Sequence, residues 1–294
     1  MYPLPIHYHE PLFRPPSEAD SLIIQATLGC SWNRCTFCEM YTSKRFRPRP
    51  EAELMGEIQR LGEHCQDVRR VFLADGDAMT LSTRRLLAIL HQVGTHLPGI
   101  QRVSCYALPR QLARKSANEL SELQDAGLKL VYVGVESGDD EVLRRVQKGE
   151  TQKSSIAGLQ QAHAAGMETS VMILNGLGGT TLSQQHARSS ALVLNETQPR
   201  YAAVLVVMLP HGEERFRAAF GNEFQPLDLR QSIEEMRCFI AATDLKATIF
   251  RSDHASNVLV LKGVLGKDKA RLLAQIERAG SDPTLLRQNG RRRL

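Results

Sequence analysis

The stretch SLIIQATLGCSWNRCTFC, residues 21–38, decides the fold and points to the chemistry of this chain. Its first seven residues form a short, mostly apolar run that ends before Gly29, which predicts a buried β-strand. Directly afterwards come Cys30, Cys35 and Cys38, spaced C-x4-C-x2-C. Three thiols on one short loop indicate a metal centre, and the softness of thiolates selects zinc, Cu(I) or iron–sulfur.

The three cysteines leave such a centre one ligand short. A structural zinc site needs four protein ligands, and no fourth cysteine lies near the loop. Cys65 and His64 lie on a predicted helix, where Cys65 fits the apolar face. An iron–sulfur cubane held by three cysteines keeps one iron open for another ligand. Two interpretations therefore stand: a reactive cluster, or a zinc loop that ties the strand down.

Strands and helices alternate along the rest of the chain. Ser116 and Glu119 form a capping-box pattern that starts one helix, and Gly127 ends it. The remaining helices are predicted at 51–65, 82–93, from 139, 152–165, 181–194, 213–220, 230–242 and 267–279. After the first strand, further strands are predicted at 70–74, 102–106, 129–135, 168–174, 202–209 and 246–251. This alternation is typical of an α/β fold with a parallel sheet, either doubly wound or closed as a (β/α) barrel, and both carry chemistry on the loops after their strands.

Composition narrows the functional class. The chain has 294 residues, of which 42% are hydrophobic, so it can bury a full core without disulfides. Its net charge is only +5, and we interpret the four arginines of the last eight residues as a solvated tail. No apolar run approaches the ~20 residues of a membrane span. The first 16 residues are proline-rich and unlike a signal peptide, so we expect a cytoplasmic protein.

Four motifs, each following a predicted strand, resemble in order those of the radical S-adenosylmethionine (SAM) superfamily. The cysteine loop carries the aromatic Phe37 before its last cysteine, and Asp75-Gly76-Asp77 stands where the family has Gly-Gly-Glu. The segments VGVESG (133–138) and ILNGLGG (173–179) resemble those of the subgroup that includes methylthiotransferases. The cysteine spacing departs from the family's usual C-x3-C-x2-C by one inserted residue.

The resemblance implies a partial (β/α)6-type TIM barrel over residues 21–210. An N-terminal arm at 1–20 precedes it, and a C-terminal extension of helices and a strand at 211–294 packs on this core. By the same resemblance, Cys30, Cys35 and Cys38 hold three irons of a 4Fe–4S cluster, and the fourth iron binds SAM. Reductive cleavage of SAM then yields methionine and a 5′-deoxyadenosyl radical. Such an enzyme is oxygen-sensitive and needs a low-potential electron donor of the flavodoxin or ferredoxin type.

The resemblance also assigns residues around the cofactors. Gly76 permits the close backbone approach needed to offer oxygens to the SAM ammonium group. Glu136 is expected to accept hydrogen bonds from the ribose hydroxyls of SAM, with an ion pair to a neighbouring arginine as the alternative. Arg144 is expected to bind the SAM carboxylate, with a position on a solvated helix face as the alternative. The full set expected to contact cluster or SAM is Phe37, Asp75, Gly76, Asp77, Glu136, Ser137, Arg144, Asn175 and Gly176.

Candidate substrate residues are Cys105 and Tyr106, expected to end the third strand and point toward the same face, and His254 in the polar run 251–257. A small-molecule substrate is favoured over nucleic acid, since the chain carries no RNA-binding add-on domain. The substrate and the reaction subclass are not identified by the sequence. The alternatives are a non-catalytic zinc- or iron–sulfur-binding scaffold, and a barrel hydrolase or aldolase that uses Glu136 and a histidine.

Overall fold

The computed structural model describes residues 6–65 and 67–286, so the arginines at positions 287 and 291–293 lie outside the described residues. The chain forms two compact units. The first contains Met1–Asn33, Met40–Val133 and Gln161–Glu168, and the second contains Arg34–Glu39, Gly134–Gln160 and Thr169–Leu294. No helix in the described part of the chain is long and apolar enough to cross a membrane.

The first unit is built on parallel strands. Strand β1 (Leu22–Gln25) pairs in parallel with β4 (Arg70–Ala74), and β4 pairs in parallel with β5 (Arg102–Ala107). Strand β5 in turn pairs in parallel with β6 (Leu128–Glu136). Leu22 lies opposite Val71, and Val71 lies opposite Val103. A short antiparallel pair, β2 and β3, lies beside the cysteine loop. The elements are β1 (Leu22–Gln25), β2 (Thr27–Leu28), β3 (Arg47–Pro48), α1 (Glu51–His64), β4 (Arg70–Ala74), α2 (Thr83–His96), β5 (Arg102–Ala107), α3 (Pro109–Arg114), α4 (Ala117–Asp125) and β6 (Leu128–Glu136), whose last three residues belong to the second unit.

The second unit continues the βα pattern. Strands β7, β8 and β9 are parallel, and only β10 runs antiparallel to its neighbour β9. The elements are α5 (Asp140–Arg145), α6 (Gln152–Ala164), β7 (Glu168–Asn175), α7 (Gly179–Thr197), β8 (Tyr201–Val206), α8 (Glu213–Phe220), α9 (Leu229–Ala242), β9 (Ile249–Arg251), β10 (Lys262–Val264) and α10 (Lys269–Ser281). Helix α6 ends, and β7 begins, in the first unit. The mixed α/β organisation with mostly parallel strands agrees with the prediction.

Local sequence signals account for most element ends. The capping box of α4 is present, with Ser116 and Glu119 exchanging hydrogen bonds as the sequence predicts. The first predicted strand is two short strands, β1 and β2. Helix α3 and strand β10 were not predicted, because six and three residues are too short to display a periodicity.

A buried polar network fixes the segment before β1. Glu18 is fully buried, and it accepts hydrogen bonds from Tyr132 Oη at 2.6 Å and from Arg102 Nη2 at 2.7 Å. Because Arg102 begins β5 and Tyr132 lies on β6, this carboxylate ties the N-terminal segment to two strands of the first unit. A buried carboxylate is tolerated only where it is paired in this way.

Gly138 provides a test of how tightly the segment between β6 and α5 is packed. A Cβ atom at this position would lie 2.1 Å from the backbone oxygen of Ser189 on α7. We expect Gly138→Ala to lower the free energy of unfolding by about 1–3 kcal/mol, the cost of overpacking. Gly94→Ala in α2 is the matched control, since no atom lies within 4 Å of its added Cβ. Urea denaturation measures both, and equal stabilities would contradict the packing.

Candidate functional site

The first cysteine of the loop contacts the Asp75-Gly76-Asp77 motif directly. Gly76 donates its backbone N–H to the oxygen of Gly29 at 3.1 Å. A Cβ atom at Gly76 would lie 2.8 Å from Cys30 Cβ and 3.0 Å from the ring of Tyr41. Only glycine therefore fits between the first cysteine and the segment after β4.

Asp75 anchors the start of the cysteine loop. Its carboxylate is fully buried and accepts hydrogen bonds from Gly29 N at 2.8 Å, Lys44 Nζ at 2.8 Å and Gln25 Nε2 at 3.1 Å. Both oxygens are engaged by protein donors. The motif therefore has its backbone, not this side chain, available to a ligand.

Asp77 ties a second point of the loop to the same segment. Its Oδ2 atom accepts a hydrogen bond from Ser31 Oγ at 2.5 Å and another from Thr80 Oγ1. Burial raises the pKa of Asp77 above its ordinary value. Ser31 directly follows Cys30, so both acidic residues of the motif hold the loop around the first thiol.

The second half of the loop is anchored within the second unit. Thr36 donates to the backbone oxygen of Val146 through its N–H at 3.0 Å and its hydroxyl at 3.3 Å. Phe37 packs against a core cluster, which we call the aromatic cluster; its buried members are Val142, Val146, Leu177, Phe216, Phe220 and Phe224. Arg215 of α8 donates to the backbone oxygens of Cys35, Thr36 and Cys38.

The donor set fits an iron–sulfur cluster by its chemistry. Cys30, Cys35 and Cys38 are half-buried thiols outside any disulfide, and they offer three soft donors on one loop. Cys30 belongs to the first unit, and the other two belong to the second. Across residues 6–65 and 67–286, no three cysteine, histidine or carboxylate side chains are grouped as a ready-made metal site.

Glu136 ends β6 in an unusual backbone conformation. Its φ is +65°, in the region that favours glycine, and such outliers cluster at functional sites. Its carboxylate lies 3.4 Å from the Nζ of buried Lys148, and this ammonium lies 6.0 Å from the centre of the Phe37 ring. One buried cation thus contacts two residues that the sequence assigned to the cofactors.

A buried polar chain connects two further motif residues. Ser137 Oγ lies 2.8 Å from His186 Nδ1, and His186 Nε2 lies 3.8 Å from a carboxylate oxygen of Glu235. The same Glu235 oxygen accepts the N–H of Gly176 at 2.5 Å. The ends of β6 and β7 are therefore held through side chains of α7 and α9. Asn175 belongs to the same region, since its amide donates to the oxygen of Ser232 at 2.9 Å.

Arg144 pairs with Glu141 on its own helix, and its described hydrogen bonds do not reach the buried polar chain of Ser137, His186 and Glu235. Its guanidinium forms two hydrogen bonds with Glu141, at 2.7 and 2.8 Å, and the side chain is 69% exposed. This is the solvated helix face that the sequence offered as an alternative. Its proposed contact with the SAM carboxylate stays a prediction.

Cys105 and Tyr106 do not point toward the same face, so that expectation is wrong. Adjacent residues of a strand project to opposite sides of the sheet. Tyr106 lies 5.1 Å from the ring of Phe72 and pairs across the strands with Tyr132. Cys105 is fully buried, and desolvation raises the pKa of its thiol, so it stays protonated.

His254 forms contacts typical of a turn. Its Nδ1 atom lies 2.8 Å from Ser256 Oγ, which accepts the N–H of Val206 at 3.0 Å. Asn257 donates to the oxygen of Val204 at 2.8 Å. The polar run after β9 therefore supports β8, and a substrate role for His254 stays a prediction.

Several residues with contacts at the site are not assigned from the sequence, among them Arg215, Glu235, Lys148 and Lys44. Arg215 and Glu235 lie on ordinary amphipathic helices, and nothing local in their sequence marks them. The sequence predicts neither the burial of Lys148 nor its position beside Glu136.

Known sequences place the chain in a family. The family model described as the radical SAM superfamily matches residues 24–188 of this chain. The chain is 26% identical over 147 residues to the heme chaperone HemW of Bacillus subtilis, covering 49% of this chain and 38% of HemW. It is 25% identical over 190 residues to the GTP 3′,8-cyclase of Rhodopseudomonas palustris strain TIE-1, covering 61% of this chain and 53% of the cyclase. The chain thus spans about half or less of these relatives.

Solved structures agree at the level of the fold. Coproporphyrinogen III oxidase (HemN) from Escherichia coli, described as a radical SAM enzyme, matches with a TM-score of 0.59 and 17% identity, over 75% of this chain and 51% of HemN. Methylornithine synthase (PylB) matches with a TM-score of 0.53 and 15% identity, over 87% of this chain and 68% of the synthase. These likenesses confirm the predicted fold class, that of the partial barrels of radical SAM enzymes.

Family membership also settles the cofactor class. The match covers residues that include the three cysteines and all four motifs, from the cysteine loop to the glycine-rich turn after β7. The cofactors of this family are a 4Fe–4S cluster and SAM, as the resemblance of the four motifs implied. This chain belongs to the radical SAM superfamily.

Proposed function

We propose that this protein is an enzyme that cleaves SAM reductively to a 5′-deoxyadenosyl radical, which takes hydrogen from a small-molecule substrate. Cys30, Cys35 and Cys38 would hold the 4Fe–4S cluster. When bound, that cluster supplies the electron that breaks the sulfonium–C5′ bond of SAM. The observation that carries the proposal is the close packing of Gly76 against Cys30, where an added Cβ would lie 2.8 Å from Cys30 Cβ, so that the motif expected to bind SAM adjoins the first cysteine.

The protein's own part in this reaction is to bind, orient and exclude water. Asp75 and Asp77 hold the first half of the loop, and the backbone of the motif would offer its oxygens to the SAM ammonium group. Phe37, packed on the aromatic cluster, would shield one side of the loop from water when the cofactors are bound. These contacts support a site that is shielded from solvent, which a reactive radical requires.

Glu136 is proposed to accept hydrogen bonds from the ribose hydroxyls of SAM. Lys148 fixes its carboxylate, and the left-handed backbone at this residue turns the chain out of β6. Ser137 and Gly176, held through His186 and Glu235, would set the position of the adenine between the ends of β6 and β7. Asn175, Phe37 and Gly176 form the expected adenine surroundings.

Several finer assignments belong to the same proposal. The electron donor would be of the flavodoxin or ferredoxin type, and the expected location is the cytoplasm. The segments VGVESG and ILNGLGG support a core of the methylthiotransferase-like subgroup. Residues 1–20, 21–210 and 211–294 would form the arm, the core and the extension.

Cluster binding is tested by removing each loop thiol. Anaerobic reconstitution of the wild-type protein should give a brown protein with about four irons per chain. Cys30→Ala, Cys35→Ala and Cys38→Ala should each lose the visible absorbance and most of the iron. Cys65→Ala, at the half-buried end of α1, is the matched control and should keep both. One zinc per chain without visible absorbance would instead support the non-catalytic scaffold.

Catalysis is tested without knowledge of the substrate. The reconstituted protein, mixed with dithionite and SAM under anaerobic conditions, should release 5′-deoxyadenosine and methionine, because reductive cleavage of the sulfonium–C5′ bond yields these two products once the radical has taken hydrogen. Chromatography of the quenched mixture measures both products. A protein with a full complement of iron that forms no 5′-deoxyadenosine would contradict the enzymatic function and leave only cluster binding.

Gly76→Ala tests the contact between the motif and the first thiol. The added Cβ would meet Cys30 Cβ at 2.8 Å, so Cys30 must shift, and we expect a clear loss of bound iron after reconstitution. Gly56→Ala in α1 is the control, because its Cβ would meet only the flexible end of Arg60, at 3.5 Å. Equal iron contents in the two variants would show that this contact does not position Cys30.

A further inference from the structure

Arg215 is the one side chain of α8 whose hydrogen bonds reach the backbone of the cysteine loop, among those described for this helix. Its Nη2 atom donates to the oxygen of Cys38 at 2.8 Å, of Thr36 at 3.1 Å and, more weakly, of Cys35 at 3.4 Å. Two of these three residues are proposed cluster ligands. The guanidinium therefore binds three backbone carbonyls of residues 35–38 with one positive charge.

Helix α8 is fixed well enough to act as a support. Phe216, the neighbour of Arg215, is fully buried in the aromatic cluster, where its ring lies 4.7 Å from that of Phe224. Phe37 packs on the same cluster from the cysteine loop. The loop and the helix thus share one apolar core, and the guanidinium adds a polar contact above it.

A third contact joins the same two segments. The carboxylate of Glu39, directly after the last cysteine, accepts the N–H of His211 at 3.1 Å. His211 lies just before α8. The loop is therefore held near both the start of the helix and its first turn.

The charge of Arg215 has a consequence beyond geometry. A cysteine binds metal as the thiolate, so residues 35–38, which carry two of the three ligands, hold two thiolate charges when the cluster is bound. A guanidinium that donates to the carbonyls of this loop offsets part of that charge. Glutamine at this position would keep one donor group and lose the charge.

We propose that Arg215 is a positioning residue that holds residues 35–38 in their metal-binding conformation and slows loss of the cluster. The proposal rests on the proposed function, since it requires Cys35 and Cys38 to be cluster ligands. Arg215 lies outside residues 24–188, the part of the chain that matches the family. It would therefore be a contribution of the C-terminal segment to the cofactor site.

The test compares reconstituted wild-type protein with Arg215→Gln, Arg215→Lys and Arg217→Gln. Arg217 is the matched control, since it lies on the same helix but donates to Glu213 and to the oxygen of Phe224. The rate of cluster loss is followed by the fall in visible absorbance after anaerobic addition of a chelator. Circular dichroism of the apoproteins establishes that each variant is folded.

We expect Arg215→Gln to lose its cluster on the order of tenfold faster than wild type, as expected for removal of charge-assisted hydrogen bonds. Arg215→Lys, which keeps the charge and a donor, should recover part of this difference, and Arg217→Gln should match wild type. A wild-type rate in Arg215→Gln, or equal acceleration in Arg217→Gln, would overturn the proposal. If Arg215→Gln does not fold, Arg215→Lys decides: an accelerated loss relative to Arg217→Gln supports the proposal, and an equal rate overturns it. A wild-type protein that binds no cluster would contradict the proposed function instead.

Discussion

The first half of the cysteine loop depends on the hydrogen bonds and the ion pair that the buried carboxylate of Asp75 forms. It joins β1, through Gln25, to the backbone of Gly29 and to Lys44. The ion pair with Lys44 is well shielded, with side-chain exposures of 8% for the lysine and 0% for the aspartate. Losing one partner of a buried pair costs about 3–5 kcal/mol, because the other charge stays buried. The start of the loop is therefore held by contacts within the protein.

Apolar packing has the corresponding role for the second half. Phe37 belongs to the aromatic cluster, and Thr36 donates twice to the end of α5 at Val146. The nine residues from Cys30 to Cys38 are thus held by two different kinds of force, each within its own unit. A buried ion pair fixes one end, and aromatic packing with the contacts of Arg215 fixes the other.

The sequence predicted the parts of the site that depend on local pattern. The cysteine spacing and the glycine-containing motif at Gly76 are each recognisable within a few residues, and the structure places Gly76 against Cys30. The same holds in the fold for the capping box at Ser116. Glu235 and Arg215 could not be predicted this way. Their partners lie far away in sequence, for example 177 residues between Arg215 and Cys38, and a helix pattern does not say which loop it meets.

Two other differences have local causes. Arg144 has Glu141 one turn earlier on the same helix, and such a pair forms regardless of any ligand. Cys105 and Tyr106 follow the alternation of a strand, which sends neighbouring side chains to opposite faces. This alternation contradicts the expectation that Cys105 and Tyr106 share a face, whereas the contact of Arg144 with the SAM carboxylate stays a prediction.

The sharing of the aromatic cluster between Phe37 and α8 makes the conformation of the cysteine loop depend on a distant part of the chain. During synthesis the amino-terminal segments emerge first, so the cysteine loop leaves the ribosome well before the helix that supports it. A nascent chain at that stage presents its thiols on a segment lacking both the phenylalanine side chains and the guanidinium beside it. The full set of contacts that holds residues 35–38 therefore forms only on a chain that has been synthesised through residue 224.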